Sequence, residues 1–211
     1  MKLRLLPALG LTLAAACTDA TPALPALPTL QDVQPHATAG AAEQPVPSNV
    51  LYLLSSFEAL PTRQQLESLF PNSPTNRLMQ IITSTSTTLT AGVRLRAIRA
   101  LGQLPETLEV RTALLQLLAQ YATAYDGIDL LYLMAIVETI GQLGTADEVD
   151  AVVSLLPHPS RDIRIAAARA LRLMGNVAAV TPLRNRGRDE LVESVKLEIS
   201  ETLQVLDPRG L

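Results

Sequence analysis

Few residues in this chain can carry chemistry. The 211 residues include one cysteine and two histidines, so nucleophile, general-base and metal-ligand sets have little to draw on. A lone cysteine, Cys17, forms no internal disulfide, and histidines in separate regions make no ordinary zinc site. His36 lies in a proline-rich stretch and reads as solvated. His158 sits between Pro157 and Pro159 in an interhelical loop. A working histidine there needs a partner thiol, hydroxyl or acid. None is signalled nearby, so it too reads as solvated. Asp147, Glu148 and Asp150 crowd together as a cation site would, but acids in the first turn of a helix already complement its dipole. No glycine-rich phosphate loop, His-Glu-x-x-His or Gly-x-Ser-x-Gly pattern occurs. The expectation is no catalytic residue, no cofactor, no metal and no enzyme.

Binding surfaces are the alternative to catalysis, and two clusters qualify. Arg184, Arg186 and Arg188 alternate in what reads as a turn, with Arg161 and Arg164 about one repeat earlier. They form either an anion-binding edge or a solvated turn neutralised by Asp162, Asp189 and Glu190. The excess of 20 acidic over 17 basic residues, net −3, favours the second reading and argues against a general nucleic-acid binder. Tyr121, Tyr125 and Tyr132 gather most of the aromatics in one hairpin. Interface anchor and core are both open to them.

The elements that position these residues come from a recurring phrase. Ala100-Leu101-Gly102-Gln103-Leu104-Pro105 returns as Thr139-Ile140-Gly141-Gln142-Leu143-Gly144. It returns again as Ala170-Leu171-Arg172-Leu173-Met174-Gly175 and as Thr202-Leu203-Gln204-Val205-Leu206-Asp207. The intervals are 39, 31 and 32 residues, and a period in that range with helical patterning marks stacked helical hairpins. Helix pairs are expected at 74–85 with 91–104, 106–122 with 127–143, 146–156 with 160–174, and 177–184 with 190–206. A helix from Val50 to Leu60 should stop at Pro61, and Thr62-Arg63-Gln64-Gln65 reads as a capping box for a helix reaching Phe70. Ser73-Pro74 opens the next helix, Thr83 to Thr88 reads as a polar loop, Thr145 to Glu148 as a second capping box, and Ser160 as another cap.

The start of the chain has its own pattern. Met1-Lys2-Leu3-Arg4 precedes an apolar run from Leu5 to Ala15, too short for a membrane span and broken by Pro7 and Gly10. It ends in Ala14-Ala15-Ala16-Cys17. This resembles the lipobox of bacterial lipoproteins, with small residues before a cysteine that becomes the lipidated N-terminus. Leu13 stands one place further back than that pattern prefers. The resemblance implies a signal peptide over 1–16 and lipid on Cys17. Thr18, where an Asp would retain the protein at the inner membrane, implies the outer membrane facing the periplasm. Residues 17–47 are rich in Ala, Pro and Thr and read as a disordered tether.

The third pair carries a second resemblance. Asp147 to Leu156, the Pro157-His158-Pro159 turn, and Asp162-Ile163-Arg164-Ile165-Ala166-Ala167-Ala168-Arg169-Ala170-Leu171 closing at Met174-Gly175 resemble a HEAT repeat, in the short form also seen in bilin-lyase-type proteins. Val93-Arg94-Leu95-Arg96-Ala97 and Val195-Lys196-Leu197-Glu198-Ile199 repeat it, whereas Tyr132-Leu133 replaces the Ile-Arg step in the second pair. The resemblance implies an all-α, right-handed α-solenoid of about four hairpins over 48–211, with helices 48–70 as N-terminal cap. It implies protein binding, and hence a membrane-anchored envelope scaffold or assembly factor, or an accessory subunit of an envelope enzyme. Bilin-lyase chemistry fits poorly with a chain lacking a cysteine or histidine constellation in its repeats. Aligning the four phrases also brings Arg99, Glu138, Arg169 and Glu201 into register. Their alternating signs predict ion pairs Arg99–Glu138 and Arg169–Glu201 across neighbouring helices.

Overall fold

Every regular element among the described residues of the computed structural model is helical; these residues are 46–56, 59–144 and 148–209. They belong to one unit, 43–211. The lipobox, Cys17, the tether through 45 and most of the Thr145–Glu148 capping box lie outside the described residues.

The chain opens with α1 (Ser48–Ser55) and α2 (Arg63–Leu69). α1 stops short of the expected Leu60, because the Ser55 hydroxyl turns back on the Leu51 and Tyr52 carbonyls and Ser56 is extended. α2 begins in the capping box read from sequence. The Gln65 amide donates to the Thr62 hydroxyl at 3.3 Å, and Thr62 N–H donates to Gln65 Oε1 at 2.8 Å. α3 (Pro74–Thr83) starts on Ser73 with proline at its first position, where the missing N–H costs nothing. Then come α4 (Ala91–Leu101), α5 (Leu108–Tyr121), α6 (Gly127–Leu143), α7 (Val149–Val153), α8 (Arg161–Met174), α9 (Val180–Asp189) and α10 (Glu193–Leu206).

Two differences from the sequence reading matter. α7 is a short helix inside the expected 146–156 span. α9 follows a 3₁₀ turn at Val177–Ala179 and runs five residues beyond 184. Gly187, which read as part of a turn, is a helical residue where Ile199 packs. A Cβ there would lie 3.2 Å from Ile199 Cγ2. Arg184, Arg186 and Arg188 therefore project from a helix, about 200° apart at each second residue, and do not share one edge.

The helices form two layers. α3 packs on α4, α5 on α6, α7 on α8 and α9 on α10, while α4, α6, α8 and α10 pack side by side as a second layer. Small residues bring this layer together. A Cβ on Gly141 would stand 2.7 Å from Ala170 Cα, so α6 and α8 meet at backbone contact distance. The core between the layers is aliphatic, with Leu78, Ile98, Leu101, Leu117, Leu133, Ile136, Ile140, Ile163 and Leu171 essentially sealed from solvent. α1 lies against α4 and α2 against α3, covering the start of both layers. On α10, Ser200, Glu201 and Gln204 are exposed, as are Leu197 and Val205.

Candidate interaction surface

The arginine cluster divides between core and surface. Arg164 is buried, which removes it from any exposed edge. Its Nε and Nη2 donate to the two oxygens of Glu190 at 2.7 and 2.9 Å, and its Nη1 reaches the His158 and Pro159 carbonyls, each at 2.9 Å. Arg186 clasps the same carboxylate from the other side, Nη2 to Oε2 at 2.6 Å. Backbone N–H groups of Leu191 and Val192, in the turn before α10, complete the shell at 3.1 and 3.0 Å. Burial alone would raise this carboxyl's pKa, but the hydrogen bonds from Arg164, Val192 and Arg186 hold it at about 2. Arg161 pairs with neighbouring Asp162 at 3.2 Å, and Arg184 with Asp207 at 2.6 Å. Arg188 is exposed at the end of α9. Glu190 is thus the neutralising acid named from sequence, though it works inside the protein and not on a solvated turn.

His158 is likewise buried, contrary to its reading as a solvated loop residue. Its Nδ1 accepts the Ser160 N–H at 3.1 Å. The Ser160 hydroxyl, expected as a cap, makes no cap bond at the start of α8. Desolvation lowers the pKa of the ring, and the Arg164 charge lowers it further. Shifting the chain by 32 residues places His158 on Glu190 and Ser160 on Val192. Each side chain accepts the N–H two residues on, ahead of its second-layer helix. The same alignment that found the repeats could have found this pair.

The tyrosines also separate. Tyr132 is core, its ring edge-to-face with Tyr121 at 5.6 Å and 75°. Burial pushes the Tyr121 phenol up, with nearby Asp129 adding to it. Tyr125, 68% exposed, is the one of the three free to anchor a partner. Arg94 explains why Tyr132-Leu133 departs from the pattern. In α4 the arginine at Arg164's register reaches back to the Ser86 carbonyl at 3.0 Å, whereas in α6 a fully buried Leu133 fills that position.

The second-layer helices present the most regular surface. Arg99 meets Glu138 at 3.5 Å, as the alignment predicts. At the next predicted rung the pairing shifts by one turn. Arg169 binds Glu198 at 2.7 Å, and Arg172 binds Glu201 at 3.2 Å and lies 3.0 Å from Glu198. Glu198 faces α8 while Glu201 is rotated about 60° away, so the nearer acid captures Arg169. In α6 the residue at Glu198's register is buried Ala135, which leaves Arg99 only Glu138. Four residues before each charged position stands an apolar one: Leu95, Met134, Ile165 and Leu197. The first three are half-buried and Leu197 is 61% exposed. Leu173 and Val205, at matching positions on α8 and α10, are 64% and 60% exposed. Sequence analysis missed this apolar column, although it repeats at the same intervals as the charges.

Among the described residues no cluster of His, Cys, Asp or Glu could hold a metal ion. Glu148, one of the acids that suggested a cation site, is buried against Arg111 at 2.5 Å. No helix of the described residues is long and apolar enough to cross a membrane. No curated protein matches the chain. The family model described as HEAT repeats matches residues 131–204, the stretch from α6 to α10, and the chain carries HEAT-like repeats there.

Proposed function

We propose that this protein is a binding scaffold: a right-handed α-solenoid of four HEAT-like hairpins, α3–α4 to α9–α10, capped by α1 and α2. HEAT repeats commonly serve as protein-interaction scaffolds. The observation that carries the reading is the face of α4, α6, α8 and α10. It combines a repeated apolar column with charges that already satisfy one another. A face neutralised in this way recognises a partner by apolar contact and shape, and exposed Leu173, Leu197 and Val205 are its natural contact points. On the sequence argument for Cys17, the scaffold is held by lipid on the periplasmic side of the outer membrane and works in envelope assembly. Service as an accessory subunit of an envelope enzyme is the second reading, and gene neighbourhood separates the two.

A photocrosslinking residue at position 197 in the full chain, expressed in the producing cell, tests the face. The expected result is a discrete adduct in the membrane fraction that disappears in a Leu173→Glu background with unchanged melting temperature. An adduct equally strong from position 67, on α2, would refute the assignment. Mass spectrometry of the mature protein tests the anchor: a lipidated Cys17 at the N-terminus is expected, and a Cys17→Ala form should leave the membrane or remain unprocessed.

A further inference from the structure

Helices α6, α8 and α10 run in one direction. Gly141 and Gly144 meet Ala170 and Met174 in that order, and Arg169 and Arg172 meet Glu198 and Glu201 in that order. The three turns that lead into these helices, 122–126, 154–160 and 190–192, therefore line one edge of the array. They also touch. His158 in the middle turn reaches the Ala124 backbone of the first, and its carbonyl takes Arg164, the arginine that holds Glu190 in the third.

Both outer turns leave groups without partners. Around the first, Tyr125 and Ile128 are exposed, and Asp126 and Asp129 make no ion pair among the described residues. Asp126 stands at the N-cap of α6 yet makes no cap bond. At the third, Leu191 is 91% exposed, and Arg188 in the last turn of α9 makes no ion pair among the described residues either. Asp189 beside Arg188 and the Glu193–Lys196 pair bring that end near neutrality, against two unpaired acids at the other. Between them the middle turn offers exposed Pro157 and Pro159, followed by Arg161 and Asp162 paired with each other.

Neighbouring helices lie about 8–10 Å apart, so the outer turns stand roughly 16–20 Å apart, too far for Arg188 to reach Asp126 in its own chain. A two-fold axis through the middle turn removes that distance. It lays each outer turn of one copy on the opposite outer turn of its mate and makes every contact twice. Arg188 then meets Asp126, Asp129 and the face of Tyr125, while Leu191 meets Ile128. Copies facing each other with their arrays running the same way would instead set acids on acids.

We propose that this edge is a self-association surface, through which two copies of the chain pair about a two-fold axis at Pro157 and Pro159. An edge about 20 Å long gives a contact at the small end of protein interfaces, so the dimer is weak and reversible. It uses none of Leu173, Leu197 and Val205 and does not depend on the face they mark.

The test places benzoylphenylalanine at position 125 of the full chain in the producing cell. The expected product is an adduct of twice the chain mass, with the crosslink mapped by mass spectrometry to the peptide holding Arg188 and Leu191. Arg188→Glu sets an acid against Asp126 and Asp129 and should cut the yield about tenfold with melting unchanged. Adding Asp126→Arg and Asp129→Arg to that variant should restore it, and Leu173→Glu should leave it as in the parent. No dimeric adduct, an adduct with a different protein, or a crosslink outside the third turn would each overturn the proposal. So would a yield insensitive to Arg188→Glu, or a charge exchange that fails to restore it in a folded protein.

Discussion

Glu190 should make the fold acid-sensitive in a defined window. Its carboxyl is held at about 2 against an ordinary 4.5. A native value below the unfolded one means that the folded state disfavours the proton. The stabilisation is therefore complete above about pH 4.5 and lost as pH falls towards 2. At roughly 1.4 kcal/mol per pH unit, that difference amounts to about 3 kcal/mol. Solvent screening takes little from it, because the carboxylate side chain is 1% exposed. Glu190→Gln removes the charge while Arg164 stays buried with no anion, and breaking a buried pair in this way costs roughly 3–5 kcal/mol. For a domain of this size the melting temperature should fall by about 6–20 °C at pH 7. Urea unfolding of the parent and the variant from pH 7 to pH 2 isolates the contribution. The two stabilities should differ most above pH 5 and converge at pH 2. A Glu190→Gln protein as stable as the parent at pH 7, or a gap that does not close on acidification, would refute the reasoning.

Two further outcomes follow from single contacts. Gly141→Ala places a methyl against the Ala170 backbone, so α6 and α8 must part; a loss of about 1–3 kcal/mol is expected in chemical denaturation, where Gly92→Ala, with only the Thr90 hydroxyl 3.8 Å away, should cost far less. His158 is buried with its pKa lowered, so protonation opposes folding, and stability should begin to fall as pH drops below about 6.5; His158→Asn should flatten that limb of the profile while leaving the lower, Glu190 limb in place.

The helices were legible in the sequence wherever local chemistry decides them. The Thr62 capping box, the Ser73-Pro74 start and the Gly127–Leu143 helix each depend on neighbours within a turn or so. What escaped depends on residues far apart in the chain. Arg164 looked exposed because its partner lies 26 residues on. Gly187 looked like a turn because Ile199, which packs where its side chain would be, belongs to the next helix. The Arg169 pairing failed because the alignment compared one position per helix, and a second acid one turn earlier, Glu198, lies nearer to Arg169 than Glu201 does. The tyrosines could not be sorted from sequence, since Tyr125 and Tyr132 differ in burial through helix phase and a loop, not through residue type.

The contact between Gly141 and Ala170 has a mechanical consequence. Where Gly141 meets Ala170 no side chain lies between α6 and α8, whereas α3 and α5 are separated by a groove of about 420 Å³ and bridged at its edge by Ser73 and Glu109. The array is therefore a spring of graded stiffness, softer at the α3–α5 joint than at the α6–α8 contact. Load applied through the N-terminal end would be absorbed by opening the α3–α5 joint first. The geometry of α6 and α8 would persist while the first joint stretched, so a partner seated on those helices would stay bound under tension that had already opened the groove between α3 and α5.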